Sequence, residues 1–234
     1  MRINKYIAAN SSFSRRKADE LIKNGKVTLN GKQTLELGLD INPEKDKIAI
    51  SNKLIKQKTD KVYLALNKPK GYITTLADEH GRRTVMLLVP QRQNLKPVGR
   101  LDMDTEGLLL FSNDGEFINR FTHPKFECEK EYYAKINGEL KETDRKKLEN
   151  GIILEDITTS KAKINVIKAE KKRTLLTMTI HEGRNRQIRK MFDSIHHPVE
   201  YLQRIRIGRI KLGNLQKGKY RLLTTEEINV NKSA

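Results

Sequence analysis

The sequence predicts an α+β fold in two unequal parts, a small helical-plus-hairpin unit followed by a larger domain built on a mixed or antiparallel sheet. Three observations carry this expectation: helical spacing confined to a few short stretches, short alternating apolar runs separated by Gly, Pro and Asn turns, and a polar lysine-rich break near residue 55. The chain has 234 residues, 36% hydrophobic and 32% charged, so folding depends on how the apolar residues are patterned.

Ile3, Tyr6, Ile7 and Ala9 recur at helical spacing, and a second helix is predicted from a Ser14 cap through Ala18, Leu21 and Ile22 to Gly25. Val27 and Leu29 then alternate into Asn30-Gly31, a dipeptide suited to the positive φ angles of a tight hairpin, and short strands are expected to about Ile50. Residues 1–50 therefore form the first domain. Residues 51–60 have a linker's composition, and residues 61–234 form the second domain.

The second domain opens on the β-prone run Val62 to Leu66, followed by a turn at Asn67-Lys68-Pro69-Lys70-Gly71. Residues 107–112 read as a buried strand, Asn113-Asp114-Gly115 as a turn, and Phe117, Ile118 and Phe121 as one helix face. Asp102 falls in the loop that feeds this strand. Tyr133 to Ile136 and the alternating stretch Leu176 to Ile180 are further strands. Beyond Glu182-Gly183, Ile188, Met191, Phe192 and Ile195 share one helix face, while Arg186, Arg189 and Lys190 gather on another.

Lys and Arg total 47 against 29 Asp and Glu, a net charge of +18, and such an excess favours polyanionic partners. No long apolar stretch or basic amphipathic helix points to a membrane. The chain's start lacks a secretory signal, and Cys128 is the one cysteine, so a cytoplasmic protein without disulfides is expected. Arg15, Arg16 and Lys17 stand at the start of the second helix, where free N–H groups and the dipole already favour an anion; structure alone would prefer acids there. In Gly99-Arg100-Leu101-Asp102-Met103-Asp104-Thr105-Glu106-Gly107 three acids crowd a loop before a buried strand. Spacing alone leaves them as either a salt-bridge network or a reacting group.

The stretch Arg2 to Ile7, Ser14 to Asp19 and Gly25 to Lys32 resembles an S4 RNA-binding domain, which implies docking on structured RNA through shape and phosphates. Gly99-Arg100-Leu101-Asp102 with Thr105 and Gly107-Leu108-Leu109-Leu110 resembles the central motif of the RsuA-type pseudouridine synthases. Lys68-Pro69-Lys70-Gly71, Lys130-Glu131-Tyr132 and Glu182 to Phe192 follow in the family's order. The resemblance implies that Asp102 is the catalytic carboxylate attacking a uridine, at the ribose C1′ or through a glycal route. It also implies that Tyr132 stacks on the extracted uracil, that Arg189 pairs with Asp102, and that Arg100 contacts RNA. Arg184, Arg186 and Lys190 are expected to meet RNA with it. Isomerisation needs no cofactor, and the sequence carries no phosphate-cradling motif, dinucleotide fingerprint or metal-ligand spacing.

Within the family, Lys68 to Thr75, Gly81 to Val85 and Arg204 to Gly208 most resemble the branch acting on large-subunit (23S) ribosomal RNA. The implied partner is that RNA or a large-subunit precursor, and a monomer is expected. Leu87 departs from the acid often found there. The alternatives are a small-subunit (16S) enzyme, a non-catalytic S4-bearing assembly factor, or an RNA hydrolase with paired carboxylates; Asp102, Tyr132 and Arg189 together favour the synthase. Cys128, His181, His196 and His197 are given no catalytic role, and Tyr133 is expected to face the core.

Overall fold

The computed structural model describes residues 1–56, 60–90 and 94–229. Two compact units emerge, Met1–Lys61 with Asn113–Gly115, and Val62–Ser112 with the chain from Glu116 onward.

The first unit runs α1 (Ile3–Asn10), α2 (Arg15–Lys23), β1 (Val27–Leu29), β2 (Lys32–Gln33), β3 (Ile48–Ile50) and β4 (Lys53–Leu54), the strands forming an antiparallel sheet in the order β2-β1-β3-β4. Ser14 caps α2, its Oγ accepting from the Lys17 amide at 3.1 Å. Ile3, Tyr6, Ile7, Ala18, Ile22, Val27, Ile41 and Ile48 make the core. In α1 it is Ala8 that is buried, one residue from the expected Ala9, which is exposed. Asn30 and Gly31 both take positive φ, 52° and 81°, as the hairpin requires.

The expected linker at 51–60 needs correcting over its first half. Ser51 and Asn52, at φ 47° and 67°, make a second two-residue turn, and β4 pairs back on β3. Ile55 donates its amide to Ile48 O at 2.8 Å and packs on the core. Small polar residues serve a tight turn as readily as a linker, and here the apolar Leu54 and Ile55 follow them. Residues 57–59 of that stretch lie outside the described residues.

The second unit contains β5 (Tyr63–Lys68), β6 (Lys96–Val98), β7 (Glu106–Ser112), α3 (Gly115–Thr122), β8 (Lys130–Asn137), α4 (Glu142–Asn150), β9 (Ile153–Leu154), β10 (Ile157–Thr158), β11 (Lys163–Glu170), β12 (Arg173–Ile180), α5 (Gln187–Asp193), β13 (Val199–Ile207), β14 (Ile210–Lys211), β15 (Tyr220–Leu222) and α6 (Thr225–Asn229). Its main sheet has the order β11-β12-β8-β13-β7-β5-β15, with β14 on β13 and β6 on β7, and β9 and β10 form a separate hairpin. Every pairing in the main sheet is antiparallel except β13 with β7, which makes the sheet mixed.

Strand β7 is buried along its whole length, because alternate residues feed two cores: Leu109 and Phe111 face one cluster, Leu108 and Leu110 the other. Its unbroken apolar run is the sequence signature of a strand covered on both faces. At its start β7 meets β13, with Gly107 opposite Arg204. Gly107 has φ +103°, and a Cβ there would stand 2.2 Å from the Arg204 carbonyl oxygen and 2.8 Å from its amide nitrogen, so no side chain fits between the strands. Gly107→Ala is expected to cost about 3–5 kcal/mol of stability, read as a lowered urea midpoint. An unchanged midpoint would show that the junction tolerates a wider spacing.

Candidate active site

The loop between β6 and β7 carries Asp102, and the segment after β5 holds that loop in place. Lys68 ends β5 with no exposed surface, and its ammonium donates to the carbonyls of Asp102 and Thr105, each at 2.9 Å, and of Pro69 at 3.2 Å. The Gly71 amide donates to Met103 O at 2.9 Å. Thr74 Oγ1 grips Leu101 from both sides, donating to its carbonyl at 2.7 Å and accepting from its amide at 3.2 Å. The residues flanking Asp102 are thus bound through their backbone. Burial lowers the Lys68 ammonium to about 8 although the carboxylates of Asp102, Asp104 and Glu106 pull it upward.

Asp102, half-buried, lines a cleft with Tyr132 from β8 and Arg189 from α5. Tyr132 is 8% exposed and belongs to the larger core cluster as well as to the cleft lining. Tyr133 points to the other face of the sheet and is half-buried against Tyr201, ring centres 6.1 Å apart, and is not a core residue.

The expected pairing of Arg189 with Asp102 is replaced by one with Asp104. Arg189 Nε lies 3.3 Å from Asp104 Oδ2, Nη2 donates to Asp104 O at 3.1 Å and Nη1 to Val199 O at 3.0 Å. The Nε contact is one of charge, since that nitrogen makes no aligned hydrogen bond. Arg186 adds two bonds to the same carboxylate, at 3.1 and 3.0 Å. Burial would raise the Asp104 carboxyl, but the Arg186 hydrogen bonds and the Arg189 charge outweigh it and hold it below the ordinary range. The acid cluster therefore divides: Asp104 neutralises the arginines, and Asp102 faces the cleft with its side chain outside those ion pairs. Glu106 faces Tyr201 Oη at 2.9 Å and Lys217 Nζ at 3.0 Å.

Of the residues expected to meet RNA, Arg100, Arg184 and Arg186 line the cleft. Arg184 donates to Thr158 O at 3.2 Å and lies 3.3 Å from Glu182, and Arg186 precedes α5 in the left-handed region at φ +51°. Lys190 is outside the lining and binds Glu155 at 2.7 Å. Arg15, Arg16 and Lys17 are exposed on the first turn of α2 in the other unit, with Lys17 on Glu20 at 2.7 Å. Glu182 is fixed by the Ser160 amide at 3.0 Å and by Gln187. Cys128 and His181 line the cleft wall. The Cys128 thiol is pushed up by burial, and His197 holds Asn137 O through a ring nitrogen at 2.7 Å.

Sequence reading missed Lys68, Thr74 and Arg204 as parts of this site. Arg204 is 3% exposed, with Nε on Leu108 O at 2.7 Å and Nη1 on Arg100 O at 3.3 Å. Lys68 belongs to the motif Lys68-Pro69-Lys70-Gly71, but a lysine closing an apolar run describes a strand emerging into water as readily as a buried cation. Among the described residues no helix is long and apolar enough to cross a membrane, and no group of three or more His, Cys, Asp and Glu is placed to hold a metal.

Residues 62–194 match the family described as RNA pseudouridylate synthase, and residues 1–44 match the S4 domain. A Bacillus subtilis protein named ribosomal large subunit pseudouridine synthase B is 44% identical over 97% of this chain and 93% of its own length. An uncharacterized RNA pseudouridine synthase of Aquifex aeolicus is 41% identical over 97% of this chain and 92% of its own. A crystal structure of a pseudouridylate synthase superposes with a TM-score of 0.71 at 32% identity, covering 98% of each chain.

Proposed function

Because the chain belongs to the RNA pseudouridylate synthase family and carries an S4 domain, we propose that it isomerises a uridine of large-subunit ribosomal RNA with Asp102 as the reacting carboxylate. The observation that carries the assignment of roles is the division of the acid cluster, in which Asp104 takes the arginines and Asp102 stays beside Tyr132 at the cleft. The large-subunit target is supported by the name of the Bacillus subtilis relative, aligned over nearly the whole chain.

In this reading the uridine leaves its stack and enters the cleft, where Tyr132 receives the base and Arg100, Arg184 and Arg186 receive flanking phosphates. Asp102 acts at the ribose while the N1–C1′ bond breaks. C5 then bonds to C1′, C5 releases its proton and N1 gains one, so the reaction balances without redox change. The S4 unit adds a second RNA contact through Arg15, Arg16 and Lys17. A monomer suffices, since Asp102, Tyr132 and Arg189 all line one cleft of one chain.

The test is to incubate the protein with unmodified large- and small-subunit ribosomal RNA and map pseudouridine by a chemical-adduct stop to reverse transcription. One stop in large-subunit RNA is expected. A stop in small-subunit RNA alone would transfer the activity to that target, and none in either RNA or in precursor subunits would sink the assignment. Replacing Arg15, Arg16 and Lys17 together by Gln is expected to weaken RNA binding. It should also reduce the slope of log K against log salt by about 2–3 while leaving the second unit folded. An unchanged slope would remove the S4 docking surface.

A further inference from the structure

Among the described residues four buried side-chain polar atoms have no hydrogen-bond partner: Asn67 Oδ1, Thr105 Oγ1, Arg189 Nε and Arg204 Nη2. The last three belong to residues lining the cleft. Arg189 Nε has the Asp104 carboxylate beside it at 3.3 Å. Arg204 differs, for it is buried, its other two nitrogens hold only the backbone carbonyls of Leu108 and Arg100, and no acidic side chain forms an ion pair with it among the described residues. A buried cation without a counter-charge is costly unless something else brings negative charge to it.

Register shows what that could be. Arg204 on β13 stands directly opposite Tyr132 on β8, and cross-strand partners project to the same face. Both residues therefore share one face of the sheet and line the same cleft, the guanidinium reaching from β13 toward Leu108 O of β7 and Arg100 O. Uracil presents two carbonyl oxygens, O2 and O4, and accepts the electron pair of the N1–C1′ bond when that bond breaks. Negative charge spreads onto both oxygens, which strengthens a hydrogen bond from a guanidinium.

We propose that Arg204 is the cationic donor that holds the target uracil by a ring carbonyl while it is detached from the ribose. The geometry of the isomerisation suits one such donor. To bring C5 to C1′ the ring turns half a revolution about its N3–C6 axis, and this turn exchanges O2 with O4, so the same nitrogen meets a carbonyl before and after. C5 gives up its proton after bonding to C1′ and N1 gains one. Nη2 is buried, so the contact forms only as the entering base uncovers it. Thr105 Oγ1, also covered and unpartnered in this wall, marks it further as prepared for a polar ligand.

The inference rests on the pseudouridylation reading, and its test uses the RNA segment in which the wild-type protein forms pseudouridine. Synthetic RNAs carry uridine, 2-thiouridine or 4-thiouridine at the target position, sulfur being a poor acceptor. Single-turnover conversion by wild type is expected to slow about 10- to 100-fold with sulfur, the loss for one charge-assisted hydrogen bond. Arg204→Lys is expected to slow the uridine reaction similarly and to show little further loss with sulfur. Equal wild-type rates on oxygen and sulfur, or the same sulfur penalty in wild type and variant, would overturn the proposal. Should that variant fail to melt cooperatively, Arg204→Gln carries the same comparison, and a sulfur penalty in it equal to the wild type's would overturn the proposal. Absence of pseudouridine from plain uridine would instead remove the underlying reading, and this inference with it.

Discussion

Asp102→Asn is expected to lower single-turnover pseudouridine formation by at least about 10³-fold, with RNA affinity changed less than about threefold. The substitution preserves size and removes only the charge and nucleophilicity of the carboxylate. What holds the loop is the Asp102 backbone carbonyl, bound by Lys68 Nζ, and this is untouched, so the fold around the cleft should persist. The control is Asp104→Asn. That change releases Arg186 and Arg189 from their shared carboxylate and should reduce the rate through misplaced arginines while leaving a measurable reaction. If the two variants exchanged these behaviours, Asp104 would be the reacting group.

Lys68→Met is expected to destabilise the protein by about 2–4 kcal/mol, because the carbonyls of Pro69, Asp102 and Thr105 lose their common donor in a buried site. Activity should fall beyond the loss of folded protein, since Asp102 rides on one of those carbonyls. The group also gives wild type a pH signature. The Lys68 pKa is about 8 in the fold against 10.5 for a free lysine, so between these values the unfolded chain binds more protons and stability rises with pH. Activity moves the other way, because a neutral amine offers two N–H groups to three carbonyls and the loop loosens above about pH 8. A urea-midpoint series and a rate profile from pH 7 to 10 would test this. A wild-type midpoint that tracked Lys68→Met at every pH, or a rate flat through pH 8, would refute it.

Much of the fold could be read locally. The period of Ile188, Met191 and Phe192 gave α5, the run 107–112 gave β7, and two Asn-Gly residues gave a hairpin, because each depends on neighbours in the chain. The parallel pairing of β7 with β13 could not be read that way. Strand β13 mixes Glu200, Arg204 and Arg206 among its apolar residues, and the burial of the two arginines is set by partners such as Leu108 O and Glu131 from distant segments. The candidate site divides similarly. Its motif placed Asp102 and Tyr132 at one cleft, whereas the partner of Arg189 was decided by which of two acids two residues apart turned toward α5. Burial of Lys68 left no local mark, since a lysine after an apolar run equally describes a strand emerging into water.

The doubly covered strand β7 has a consequence for the chain during synthesis. Its Leu108, Leu109, Leu110 and Phe111 can pair at once with β5, already made, but the β13 edge beside Gly107 arrives only with residues 199–207. At roughly 5–20 residues per second of translation, that edge waits about 5–20 s for its partner. Because β6 already pairs with Leu110 to Ser112, a nascent chain arrested before residue 199 should leave only the Glu106–Gly107 end of β7 without its partner, and hydrogen exchange there should be fast until the chain is released past residue 207.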